Sequence, residues 1–166
     1  VSAPSSLIAQ SVSEDEYLTK AFVLLKENPP SEPTEAQNKL IIQVKNEIEK
    51  SASQRKFYKP SEEIAGQIGE TGFPLIVELL RNPDSWARAL AARTLFMLDR
   101  PRSITFLIGQ LFDDGRFDWM NDVGDYKVST QAAGLLGESF QGARVFTTPV
   151  REAAKPHASP REPARV

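Results

Sequence analysis

The sequence predicts an all-α fold: a short α-solenoid of antiparallel helix pairs, preceded by two further helices and flanked by flexible termini. Three observations carry this. Apolar residues recur at helical spacing through most of residues 13–142. Helix start and stop signals punctuate that stretch at short intervals. No run alternates apolar and polar residues as a half-buried strand would.

The first helix begins at Ser13, whose capping box is completed by Glu16, with Glu14 and Asp15 at the positive end of the helix dipole. Leu18, Phe22 and Leu25 form its apolar face, and Asn28-Pro29-Pro30 ends it. After a turn at Ser31–Pro33, Thr34 and Gln37 form a second capping box, followed by the stripe Leu40, Ile41, Val44 and Ile48. That helix has room to continue to about Tyr58, before the break at Pro60. Beyond it the segments become short and Ala/Gly-rich. Ser61-Glu62-Glu63 opens a helix ending at Gly69 or Gly72, and Phe73–Leu80 forms the next, with Pro74 in its first turn. Asp84 or Ser85 caps a helix over Trp86–Leu98; Ser103 caps another over Ile104–Phe112; the last runs from Asp125 to about Phe140.

Placing Phe73–Asp84 over Ile104–Gly115 at an offset of 31 matches Leu75 with Phe106, Ile76 with Leu107, Val77 with Ile108 and Leu80 with Leu111. At an offset of 41, Ala91-Ala92 falls on Ala132-Ala133 and Leu95 on Leu136. The longer second offset comes from extra residues around Phe117–Gly124. One helix pair cannot cover its own apolar face, so such units stack. The predicted core is Ile68, Ile76, Leu79, Leu80, Leu90, Leu95, Leu98, Leu107, Leu111, Leu135 and Leu136.

The pattern Asp84-x-x-x-Arg88-x-x-Ala91-Ala92-x-x-Leu95 resembles HEAT repeats, in particular the short HEAT-like repeats of phycobilisome lyases and many bacterial proteins. The resemblance covers about residues 61–142. The second unit departs from it, with Ser129 in place of the Arg and a long inter-helix loop. By that resemblance the second helix of each pair lines a concave face, which implies that Arg88, Arg93, Tyr126, Lys127 and Gln131 face a ligand.

The chain has 166 residues, about one domain's worth, and divides into an arm at residues 1–12, the helical domain at 13–142, and a tail at 143–166. The tail holds four prolines, five basic residues and two acidic ones, and has too little apolar area to offset its ordering entropy. Ala9 and Ser11 fit the small-x-small end of an export signal, and the same stretch also fits a flexible arm. Exported and cytoplasmic locations both stay open.

A net charge of −2 argues against nucleic acid as a partner. With no cysteine there are no disulfides, thiolate metal sites or Cys nucleophiles. The single histidine, His157, sits in the Pro-rich tail, which argues against a His-based zinc site or a catalytic triad. No apolar run approaches the roughly 20 residues that span a bilayer. The segment Asp113–Asp125 holds five Asp with Phe117, Trp119 and Met120 among them. Its acidic positions do not follow an EF-hand, so neither a metal nor a cofactor is expected, and Phe117 and Trp119 are candidates for contact with a partner. The expected function is a non-enzymatic protein-interaction module or scaffold. The alternatives are an accessory, lyase-like subunit holding a cofactor or substrate protein, and a structural domain of a longer secreted chain.

Overall fold

The computed structural model describes residues 14–117 and 126–144. Among them the fold is all-α, comprising α1 (Glu14–Glu27), α2 (Glu35–Ser53), α3 (Glu62–Ile68), α4 (Phe73–Val77), α5 (Ser85–Leu98), α6 (Arg100–Gln110) and α7 (Val128–Arg144). Short 3-10 turns cover Gly69–Gly72 and Glu78–Arg81. One antiparallel pair of two-residue strands joins β1 (Arg116–Phe117) to β2 (Tyr126–Lys127), where no strand was predicted. Two residues per strand are too few to show any period in a sequence.

Local signals set most boundaries. The Thr34–Gln37 capping box is formed on both sides, and the Gln37 amide also donates to the Gln67 carbonyl at 3.0 Å, joining the start of α2 to the end of α3. Ser61 caps α3 through the Ile64 N–H, and Gly69 ends it at φ 54°, a conformation glycine adopts without steric cost. Helix α2 stops at Ser53, short of Tyr58; Arg55 has φ 54° and turns the chain away. The cap of α6 is Asp99, which accepts from the Arg102 N–H at 3.0 Å; Ser103, the predicted cap, is buried inside the helix. Pro101 is tolerated there because it lies in the first turn.

Helix α5 is the centre of the molecule. Ten of its fourteen residues are buried, and it touches α2, α3, α4, α6 and α7. A helix apolar all round has no solvent face to present, so the other elements must enclose it. The paired Ala91 and Ala92 are both buried on it and let those neighbours approach closely. Helix α1 packs on α6 and runs antiparallel to it: Tyr17 stacks on Phe112 at 5.1 Å, and Phe22 meets Phe106 edge-on at 5.4 Å. Phe73 reaches the same Phe106 ring, also at 5.4 Å, and links α4 to this aromatic cluster.

Burial recurs along the chain at a spacing of 30, one residue less than the sequence alignment gives. Phe73, Ile76, Val77, Leu79 and Leu80 are buried, and so are Ser103, Phe106, Leu107, Gly109 and Gln110. Leu80 thus corresponds to Gln110, and the predicted core residue Leu111 is 39 % exposed, just past the helix end. The remaining ten residues of the predicted core are buried. At the position equivalent to Leu79, Gly109 leaves room for Leu18 of α1; a Cβ there would lie 3.1 Å from Leu18 Cδ2.

Two predictions follow from this packing. Gln110 is fully buried, and neither end of its amide has a hydrogen-bond partner among the described residues. Replacing it with the Leu that its counterpart carries, Gln110→Leu, should raise stability by about 1–3 kcal/mol. Leu111→Ala should change it by less than about 0.5 kcal/mol, against roughly 2–5 kcal/mol lost in Leu95→Ala. Denaturant melts of the three variants measure this, and a large loss in Leu111→Ala would restore the spacing of 31.

Glu70 generates the second. It accepts from the Ser31 hydroxyl at 3.0 Å and from Arg102 at 3.1 Å, and these contacts, Ser31 first, hold its carboxyl below the ordinary value. A carboxylate with a lowered folded pKa contributes stability above its unfolded value and loses it as pH falls through the folded one. Glu70→Gln should therefore lower the melting midpoint at neutral pH and flatten its decline toward about pH 3. Parallel pH dependences for the two proteins would show that the clasp contributes nothing.

Candidate functional site

Between α3, α5 and α7 the surface opens into a cleft of about 410 Å³. Its floor is apolar: Ala65, Phe96 and Leu135 are buried, with Met97 half-buried beside them. Its rim is charged. Lys59, Glu62, Arg100 and Glu138 are exposed and Arg93 is half-buried. Each comes from a different local cause. Lys59 stands before Pro60, in the connection that leads to the Ser61 cap of α3, and Glu62 is the first residue of that helix. Arg93 and Met97 lie on the least buried edge of α5, one turn apart. The Asp99 cap places Arg100 at the start of α6, with its guanidinium 4.5 Å from the centre of the Phe96 ring. Gly66 adds no side chain to the wall; a Cβ there would meet nothing within 4 Å.

Arg93 continues the surface outward. Its guanidinium lies 5.5 Å from the centre of the Phe57 ring, which is 41 % exposed on the chain between α2 and α3. Arginine over an aromatic face gains about 0.5–1 kcal/mol at an exposed site and keeps its N–H groups in the ring plane for other acceptors.

Among the described residues of the predicted site, Arg93 lines this cleft, and Arg88, Lys127 and Gln131 do not. Arg88 is turned inward, and its Nε and Nη2 clamp the two oxygens of Asp113 at 2.7 and 2.9 Å. Its Nη1 donates to the carbonyls of Asn82 and Pro83 at 2.9 and 3.0 Å. Arg93 lies five positions after Arg88, which puts them on different sides of α5. Gln131 is also a structural residue: it is buried and donates to the Ala89 carbonyl at 2.6 Å. Lys127 lies 3.5 Å from Asp114, next to the strand pair. The backbones of Phe117 and Tyr126 pair across that ladder. Their side chains, and the whole of Trp119, lie outside the described residues, as do the segments before Glu14 and after Arg144.

The acidic segment after α6 is divided in role. Asp113, 2 % exposed, belongs to the Arg88 clamp and also accepts from the Gly115 N–H at 2.8 Å. Among the described residues no three His, Cys, Asp or Glu side chains converge on one point. No helix of the described residues is long and apolar enough to cross a membrane.

The sequence reading passed over Lys59, Phe57, Glu62, Met97, Arg100 and Glu138. One signal was available. Arg93, Phe96 and Met97 follow i, i+3, i+4, so one side of α5 carries a stripe, and Arg100 stands just beyond the break at Asp99. The Asp99–Arg102 segment read as a turn concealed it. No family model, curated protein or solved structure matches this chain significantly.

The Arg88–Asp113 pair should be sensitive to loss of either partner, because removing one leaves the other charge in a largely desolvated place. Asp113→Ala and Arg88→Ala are each expected to cost about 3–5 kcal/mol. The double variant should cost less than the sum of the two, which urea melts around a double-mutant cycle would measure. Additive losses would mean that the two side chains are not coupled.

Proposed function

We propose that this chain is a non-enzymatic protein-interaction module, a short HEAT-like helical stack whose docking surface is the cleft between α3, α5 and α7. The observation that carries the reading is the composition of that cleft. A Phe, a Met and two Arg around an apolar floor are the residue types that dominate protein interfaces. The lining holds no Ser, Thr, Cys or His. The stacking supports the architecture. Burial repeats between the α4 and α6 units, α5 touches both α3 and α7, and α2 touches α4. These contacts are the ones that support reading α3, α5 and α7 as the second helices of successive units. One contact lies outside the serial pattern: α1 packs on α6, far from it in the sequence.

A second reading has its own support. The mixed apolar and titratable lining also suits an accessory, lyase-like subunit that holds a small cofactor, and about 410 Å³ lies within the usual range for ligand clefts. Site-specific photo-crosslinking separates the two. A benzophenone side chain at Met97 in lysate of the native host should yield a discrete protein adduct, whereas the same group at Leu24, 49 % exposed on α1, should not. The adduct should disappear on adding Arg100→Glu. Equal adducts from both positions, or none from Met97, would overturn the module reading.

A further inference from the structure

Helices α1 and α6 leave a groove of about 370 Å³ between them. Ala21, Leu24 and Leu25 line it from α1, and Pro101, Thr105 and Phe106 from α6. Its one charged lining residue, Arg102, is already matched: Nη1 donates to Glu70 at 3.1 Å and to Asp99 at 2.8 Å. Apolar surface is left uncovered along this helix pair. Leu24 is 49 % exposed, and Phe112, stacked on Tyr17 toward the other end of the pair, is 46 % exposed. Such a groove selects for an uncharged, apolar occupant, because a charge taken into it loses hydration.

We propose that the occupant is this chain's own segment before α1: residues 1–13 fold back along the groove and lay Leu7 and Ile8 against Leu24 and Thr105. Charge singles this segment out. Of the stretches outside the described residues, 118–125 holds Asp118, Asp122 and Asp125, and 145–166 holds basic and acidic side chains throughout. Residues 1–13 hold no charged side chain, and Leu7, Ile8 and Val12 are apolar. Reach agrees. The segment joins the fold at Glu14, the first residue of α1, and the helical rise sets Leu24 about 15 Å further along. The stretch from Ile8 to Glu14 spans about 20 Å when extended, so it can turn back and cover Leu24. On that path it passes the Tyr17–Phe112 pair. The segment acts as a strap that ties α1 to α6 and closes this groove, which leaves the cleft between α3, α5 and α7 as the open one.

The test uses introduced thiols in the full chain, which has no cysteine of its own to interfere. Thr105→Cys should react with a maleimide roughly fivefold or more slowly than the same thiol in a chain that also carries Leu7→Asp and Ile8→Asp. Ile42→Cys, 52 % exposed on α2, should react at the same rate in both backgrounds. Ile8→Cys combined with Thr105→Cys should close an intramolecular disulfide under mild oxidation, and faster than Ile8→Cys combined with Ile42→Cys. Thermal melts check that each variant remains folded. Protection of Thr105→Cys that survives dilution and is lost with Leu7 and Ile8 supports the strap. Equal labelling with and without the two Asp substitutions overturns it. Protection that fades on dilution also overturns it, and assigns the groove to a second copy of the chain. Disulfide closure no faster at Thr105→Cys than at Ile42→Cys overturns the path along the groove.

Discussion

The clamp between Arg88 and Asp113 is the interaction on which the C-terminal half of the molecule depends. It joins four segments at one point. Arg88 belongs to α5 and satisfies the carbonyls of Asn82 and Pro83 in the turn that precedes it. Asp113 follows α6; its N–H donates to the Gln110 carbonyl at 3.0 Å and its own carbonyl accepts from Ser129 in α7 at 3.2 Å. The guanidinium is planar and forked, so it binds both carboxylate oxygens and two backbone carbonyls together, which a lysine cannot do. Gly115 completes the arrangement: a Cβ there would collide with the Arg88 Nη2 and lie 2.8 Å from Asp113 Oδ1. The chain wraps closely around the guanidinium because nothing projects from that residue.

This clamp explains how α7 keeps its place despite the long segment between it and α6. Closure of a long loop costs entropy, but only slowly with length. What the loop needs is a fixed entrance and exit. The Val128 N–H donates to the Gly115 carbonyl at 2.9 Å, and Arg116 and Phe117 pair with Lys127 and Tyr126. The Ser85 hydroxyl donates to the Arg116 carbonyl and binds that closure to the first turn of α5. Entrance and exit are thereby held against the same end of α5. The cleft lies at the opposite end of α5, between α3 and α7.

Much of the fold was legible because its signals are local. Caps, prolines and the glycine at position 69 act within a turn of helix, and the central burial of α5 follows from its Ala- and Leu-rich composition on every side. The one-residue error in the repeat has a physical origin. Matching apolar letters favours Leu80 over Leu111, whereas the helix geometry is set by Asp99, which starts α6 earlier than Ser103 would. An earlier start shifts the buried face onto Ser103, Gly109 and Gln110, two of them polar and one without a side chain. No hydrophobicity pattern selects those three. The space beside Gly109 is filled by Leu18 of α1, a contact between residues about 90 positions apart. Sequence spacing carries no information about such a pairing.

Arg88 and Arg93 show why the candidate site was the least legible part. They look alike in the sequence: both lie on α5, beside alanines, with no distinguishing neighbours. Their roles separate because of what approaches from elsewhere. On Arg88's side the chain after α6 brings Asp113 into bidentate contact, and the charge is neutralised where water is scarce. On Arg93's side the neighbours include the Phe57 ring and the apolar floor of the cleft. An arginine met by a buried carboxylate contributes to the fold, and removing either partner leaves a desolvated charge. That difference in surroundings, in place of any difference in residue type, divides the arginine of α5 that clamps Asp113 from the one that lines the cleft.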